Sequence, residues 1–242
     1  MREDLFGSPA WEPLARALVD YHAGDETATL RVWSDLGELD PIPVALFFRG
    51  PEDLLPADRA ALPHVRGRVL DVGAGVGALA LLLQNRGAEV TAVEVIPEAV
   101  EIMKARGVRD ARQGRVESLQ EEGAYDTLLL LMNGTSLAGT LAGLAYLLRA
   151  LARLLAPGGQ VLMDSTDLLV EEEGAEDGGY PGELQYQLEY RGIRGDPFPQ
   201  LFLDPGTLCQ LAGEEGWDAE VVWQGEDGAY LARLSRPYQG HS

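Results

Sequence analysis

Trp11, Leu14, Leu18 and Tyr21 recur at three- and four-residue steps, the spacing of one apolar helical face. Ser8 before Pro9 marks the start of that helix: a capping hydroxyl precedes a proline whose missing N–H costs nothing at the first position. Between residues 29 and 50, β-formers mix with Pro41 and Pro43, which predicts a short strand and an ordered loop rather than a long helix. Residues 1–60 together read as an N-terminal cap.

From Arg68 the pattern changes to short apolar runs alternating with helical periodicity, which indicates βα units and a parallel sheet. Strands are expected at 68–72, 89–93, 127–132 and 160–164, with helices over 78–86, 97–106 and 141–155. In the last helix Leu141, Leu144, Leu148, Leu151 and Leu155 form a stripe suited to packing on a sheet. Gly87, Gly107 and Gly158 follow these helices where left-handed C-terminal caps belong. Residues 171–179 are acidic and glycine-rich and read as a solvated loop. Leu184, Tyr186, Leu188 and Tyr190 then alternate as one face of a strand. Asp204-Pro205 starts another helix with Gly216 near its end. Strands at 219–223 and 229–234 flank Gly225-Glu226-Asp227-Gly228, a hairpin connection.

Composition narrows the function classes. The 242 residues carry 39 acidic against 19 basic side chains, a formal charge of −20, which disfavours a nucleic-acid partner because phosphates need a cationic footprint. At 46% apolar and 24% charged, the chain has the makings of a full core. Cys209 is the single cysteine, so neither an intrachain disulfide nor a thiol-rich zinc site can form, and a reducing compartment is compatible. The start, Met1 to Gly7, lacks the cationic and apolar regions of a signal peptide, and the leucine-rich stretch 137–155 is broken by Arg149, Arg153, Gly139 and Gly143, so no membrane span is expected. A cytoplasmic protein follows as the expectation.

The sharpest motif is Asp71-Val72-Gly73-Ala74-Gly75-Val76-Gly77 at a strand-to-helix junction. Glycines there let the backbone turn tightly and approach a ligand, and the next helix presents free N–H groups. Gly73, Gly75 and Ala78 also satisfy the relaxed dinucleotide fingerprint, so an NAD(P)-dependent oxidoreductase is an alternative. Glu94, ending the next strand, would bind ribose hydroxyls in either case. Asp71 discriminates better: a dinucleotide fold continues an uncharged strand there, whereas a carboxylate suits a cationic ligand end.

These residues resemble the class I S-adenosylmethionine-dependent methyltransferases. Asp71, Gly73, Gly75 and Gly77 match the first motif of that family, Glu94 the second, Tyr125-Asp126-Thr127 to Met132-Asn133-Gly134 the fourth-strand motif, and Leu155-Ala156-Pro157-Gly158-Gly159 the later landmark before a strand. Leu46-Phe47-Phe48-Arg49, Asn133-Gly134, Tyr180 with Gly182-Glu183, and Phe198-Pro199 further resemble an uncharacterised bacterial methyltransferase group. The resemblance implies an α/β Rossmann-like fold, with a mainly parallel seven-stranded sheet, a C-terminal antiparallel hairpin and a small N-terminal cap. The methyltransferase domain would occupy 61–242, with a substrate-side insertion at 171–200. The implied cofactor is S-adenosylmethionine, with S-adenosylhomocysteine as product.

By the same resemblance, Gly73, Ala74 and Gly75 admit the methionine portion, Asp71 supports its amino group, and Glu94 with Val95 receives the ribose. The family's adenine-contacting aspartate is replaced by Arg115, which leaves adenine to the backbone around Val116 or to the Glu117 side chain. Asn133 and Gly134 line the reaction end, or form a plain turn. Ile96 stands where a capping serine is common. Asp164, Tyr180 and Glu183 are candidates for substrate or base roles, or else pack and face water. Arg49 binds a carboxylate of cofactor or substrate, or an acidic neighbour. No metal is needed for an in-line displacement of a sulfonium methyl. His22, His64 and His241 lack ligand spacing, Ser136 lies outside a nucleophile elbow, and Lys104, the lone lysine, follows no Walker loop. The acceptor is expected to be a small molecule or a protein side chain. A methyltransferase-like binding protein without catalysis is the third alternative.

Overall fold

In the computed structural model, which describes residues 8–168 and 179–237, the N-terminal region is more regular than its prolines suggest. Ser8 accepts a hydrogen bond from Ala10 N and caps a short 3-10 turn, Pro9–Trp11, before α1 (Glu12–His22) begins. The expected single strand and loop are instead an antiparallel hairpin of β1 (Thr29–Ser34) and β2 (Gly37–Pro43), followed by the turn Val44–Phe48. Pro41 and Pro43 are tolerated because β2 lies at the edge of its sheet, where a missing N–H breaks no ladder. A short helix, α2 (Pro56–Ala61), leads into the βα region.

There the apolar runs form β3 (Val69–Val72), α3 (Ala78–Asn85), β4 (Val90–Glu94) and α4 (Pro97–Arg106). All residues of β3 and β4 are buried, as expected of parallel strands covered on both faces. The next strand, β5 (Asp110–Gln113), carries no apolar run, so periodicity does not mark it. It ends the sheet, where polar side chains are tolerated. β6 (Tyr125–Leu130), α5 (Leu141–Leu154) and β7 (Leu155–Thr166) complete this part. The buried stripe of α5 is Leu144, Leu147, Leu148, Leu151 and Leu154, while Leu141 is only half-buried. Gly87 and Gly107 take the left-handed conformation after their helices (φ 91° and 98°), but Gly158 (φ 76°) lies inside β7 and caps no helix.

The expected loop at 171–179 falls outside the described residues except for Gly179. Beyond it, β8 (Glu183–Tyr190), β9 (Ile193–Arg194) and β10 (Phe198–Leu201) precede α6 (Pro205–Glu214), β11 (Asp218–Gln224) and β12 (Ala229–Ser235). Asp204 caps α6 by accepting from Thr207 N at 2.9 Å. Leu184, Leu188 and Tyr190 are buried and Tyr186 half-buried, the expected alternation.

The strands form two sheets. One runs β10-β8-β1-β2 with β9 on β8; the other runs β11-β12-β7-β6-β3-β4-β5. In the seven-stranded sheet β3 pairs with β6, β6 with β7 and β4 with β5 in parallel, while β12 runs antiparallel to β7 and β11. Strand order reverses direction at β3.

Contacts divide the chain into two interleaved units. The first holds the described residues of Met1–Leu54, Gly73–Arg115 and Leu184–Pro199, around a core that includes Leu18, Leu30, Val44, Val76, Ile96 and Tyr190. The second holds those of Leu55–Val72, Val116–Glu183 and Gln200–Ser242, with Leu128, Leu148, Val161, Leu162 and Tyr230 among its fully buried residues. Among the described residues no helix is long and apolar enough to cross a membrane.

Candidate functional site

The loop after β3 takes its shape from three left-handed glycines, Gly73 (φ 70°), Gly75 (φ 56°) and Gly77 (φ 80°). Gly73 N and Ala74 N both donate to Val93 O, at 2.9 and 3.1 Å, so the loop hangs on the end of β4. The second and third glycines serve different ends. A Cβ on Gly77 would lie 2.7 Å from Val108 Cγ2 and 3.0 Å from Met103 Cγ, so this residue lets the helix start pack closely. Among the described residues, a Cβ on Gly75 would meet only Phe47 Cδ1, at 4.0 Å, and the backbone there borders open space.

Glu94 fastens this loop. Its Oε2 accepts from Gly75 N at 2.9 Å, and its Oε1 accepts from Val95 N at 2.6 Å and Ile96 N at 3.0 Å. Burial raises its pKa against the opposing effect of these three N–H groups. An ionised carboxylate has about four lone-pair positions. The described residues use three of them, which leaves one acceptor position on Oε2. Ile96 is buried at 6% exposure in the core of the first unit, so the position of the missing capping serine is used for packing. Arg49 is buried too, and its Nη1 donates to Leu46 O at 3.0 Å.

The other candidates lie in the second unit. Asp71 is buried within β3. After β6, Met132 (φ 67°) and Asn133 (φ 60°) are consecutive left-handed residues without the freedom of glycine, a strained turn of the kind that concentrates at functional sites. Buried side chains brace it. Asp164 Oδ1 accepts from Gly134 N at 2.8 Å. Burial lifts the Asp164 pKa to about 6, outweighing its backbone hydrogen bonds, and the charge of Asp58 adds to the rise. Asn133 Oδ1 accepts from Ser165 Oγ at 3.2 Å, and Asn133 Nδ2 donates to Leu201 O at 3.2 Å. Ser165 Oγ also lies 2.7 Å from Thr135 Oγ1 and accepts from Leu203 N at 2.9 Å. Gly134 cannot carry a side chain here, since a Cβ would lie 2.7 Å from Leu130 Cβ.

Val116 is buried in the 3-10 turn Val116–Ser118, with Glu117 half-buried beside it. Arg153 Nη2 holds this turn by donating to Glu117 O at 3.3 Å and Leu119 O at 2.6 Å. Tyr180 donates to Asp204 Oδ2 at 2.8 Å and accepts from Asp204 N at 2.9 Å, and burial raises its pKa to about 12. Glu183 is exposed and accepts from Leu141 N at the start of α5. The structure therefore gathers Gly73, Ala74, Gly75, Glu94 and Val95 in one unit and Asn133, Gly134 and Asp164 in the other, while Tyr180 and Glu183 hold helix starts. Thr135, Ser165 and Arg106 join these residues without any sequence signal. Their roles depend on partners distant in the chain, and no local pattern marks them.

A family model described as a methyltransferase domain matches residues 48–222. The chain is 39% identical to an S-adenosylmethionine-dependent methyltransferase from Bacteroides fragilis, solved with S-adenosyl-L-homocysteine, over 94% of this chain and 96% of that one (TM-score 0.85). The sugar N-methyltransferase KedS8 from Streptoalloteichus sp. shares the fold at 18% identity, covering 80% of this chain and 92% of that one (TM-score 0.56). A ubiquinone biosynthesis O-methyltransferase from Xanthomonas oryzae pv. oryzae is 34% identical over 113 residues, 44% of this chain and 46% of that protein. The chain thus spans about half the length of the curated relatives it matches. The glycine loop, the acid ending β4, the sheet order with its antiparallel hairpin and these matches agree: the chain belongs to the class I S-adenosylmethionine-dependent methyltransferases.

Proposed function

We propose that this chain transfers the methyl group of S-adenosylmethionine to a small-molecule hydroxyl. The observation that carries the cofactor half is the glycine loop pinned by Glu94, with open space beside the Gly75 backbone and one acceptor position left on the carboxylate. That set fits the cofactor: bare backbone for close approach and an acceptor for a ribose hydroxyl. When bound, S-adenosylmethionine supplies a methyl group on a positively charged sulfur.

In this reading Gly73, Ala74 and Gly75 admit the methionine portion, Asp71 supports its amino group, and Glu94 with the adjoining Val95 backbone holds the ribose. Val116 and Glu117 receive adenine, and Arg49 binds a carboxylate. Asn133 and Gly134 line the reaction end in the geometry that Asp164 imposes. Asp164 Oδ1 holds Gly134 N, which supports a positioning role for this residue. Tyr180 is likewise tied to Asp204, and its high pKa makes it a poor base near neutrality. The chain's main work is to align the acceptor and exclude water.

The likeness to ubiquinone biosynthesis O-methyltransferases favours a hydroxyl on a small molecule over a protein side chain. The net charge of −20 favours a neutral or cationic acceptor over a polyanion. A lone cysteine supports a cytoplasmic setting. Incubation with methyl-labelled S-adenosylmethionine and a fractionated cell extract tests the proposal. Label in the small-molecule fraction, resistant to conditions that hydrolyse esters, is the expected result. Label in protein alone would replace the acceptor class, and no transfer to any fraction would overturn catalysis.

A further inference from the structure

Arg106, the last residue of α4, reaches away from its own helix to two backbone carbonyls. Its Nη1 donates to Val76 O in the glycine loop at 2.6 Å, and its Nη2 donates to Phe48 O in the turn Val44–Phe48 at 3.3 Å. Its guanidinium carbon lies 5.1 Å from the centroid of the Phe48 ring, which also packs 4.5 Å from the ring of Tyr21 on α1. The planar fork of arginine serves two carbonyls at once and stacks on an aromatic face, a combination that a lysine ammonium cannot reproduce. The consequence falls one residue away on each side. Val76 follows Gly75, and Phe48 follows Phe47, whose ring is the nearest group to the open side of Gly75.

We propose that Arg106 is a positioning residue for cofactor binding, tying the glycine loop to the upstream turn so that Phe47 forms the wall of the opening beside Gly75. This rests on the reading that the glycine loop binds S-adenosylmethionine. Phe47 and Phe48 pack against the same core as Val76, Ile96 and Ala99, so the turn has a fixed seat as well as the tie. Loss of the tie frees the wall without dismantling the core. Leu46-Phe47-Phe48-Arg49 thereby gains a role: its first three residues place a ring at the loop, and a guanidinium from a different element holds it there.

Calorimetric titration of S-adenosylhomocysteine into the wild type, Arg106→Gln, Arg106→Lys and Phe47→Ala, with the ligand-free melting temperature of each, tests the assignment. Arg106→Gln is expected to raise Kd about tenfold, the loss of hydrogen bonds from a charged group. Arg106→Lys, which can still reach one carbonyl, is expected to recover part of that loss. Phe47→Ala leaves Arg106 and Phe48 in place and is expected to weaken binding as well, which decides the matter should Arg106→Gln not fold. Unchanged Kd in the folded Arg106 variants, or in Phe47→Ala, with only melting temperatures lowered, would overturn the assignment while leaving the methyltransferase reading intact. Absence of binding by the wild type would overturn that reading and the assignment together.

Discussion

The turns after the parallel strands β3 and β6 solve the same backbone problem in opposite ways. The loop after β3 reaches left-handed conformations with Gly73, Gly75 and Gly77, which take them without steric cost. The turn after β6 places Met132 and Asn133 in that region, which asparagine tolerates but where methionine is strained by about 1–2 kcal/mol. The first turn carries its own permission in the sequence. The second is held by side chains from elsewhere: Asp164 on Gly134 N, and Ser165 on the Asn133 side chain. Bare backbone suits close approach to a ligand, whereas a strained turn braced by buried polar groups presents a side chain in one orientation. This division matches the proposed roles, cofactor admission at the first turn and the reaction end at the second.

The comparison can be broken at several points. Gly77→Ala combines left-handed strain with a Cβ 2.7 Å from Val108 Cγ2, so it should destabilise the fold by about 3 kcal/mol in urea denaturation. A cost near that of Gly75→Ala would mean that the two glycines are not divided between packing and ligand approach.

At the second turn the test is pH. Asp164 has a folded pKa of about 6 against an ordinary value of 3.8, so the folded state holds that proton more tightly. The resulting stabilisation is full below about pH 4 and is lost as pH rises through 6. Wild type should therefore lose about 3 kcal/mol relative to Asp164→Asn between pH 4 and pH 7. A flat difference would show that burial does not raise the Asp164 pKa above its ordinary value.

Ile96→Ser has a smaller expected effect. Restoring a capping hydroxyl gains about 1 kcal/mol, but removing a buried isoleucine costs more, for a net loss of about 2 kcal/mol. A thermal melt showing a gain would mean that the cap matters more than the packing. Gly75→Ala should cost least, about 1 kcal/mol, because only backbone strain opposes it.

Legibility in the sequence followed locality. Pro97–Arg106 is the helix its periodicity predicts, and the apolar runs before Gly73 and Glu94 are strands because buried parallel strands need continuous apolar residues. β5, written Asp-Ala-Arg-Gln, has no such run, and only its place at the end of a sheet explains it. The hairpin β1–β2 was obscured by Pro41 and Pro43, residues whose cost depends on whether a strand is an edge. In the site, the glycines and Glu94 were visible as a motif, but the use of Glu94 to pin Gly75, Val95 and Ile96 was not. In the sequence Arg106 is one of two basic residues in the last turn of α4. Its meaning lies in carbonyls 30 and 58 residues away in the chain.

If the loop at Gly75 receives the cofactor, a methyl group there must block it. Titration calorimetry of S-adenosylhomocysteine into the wild type and the folded Gly75→Ala variant decides this. Binding is expected for the wild type and its loss for the variant, with only the small stability cost above. Equal binding by both proteins, or none by the wild type, would exclude the loop as the cofactor site.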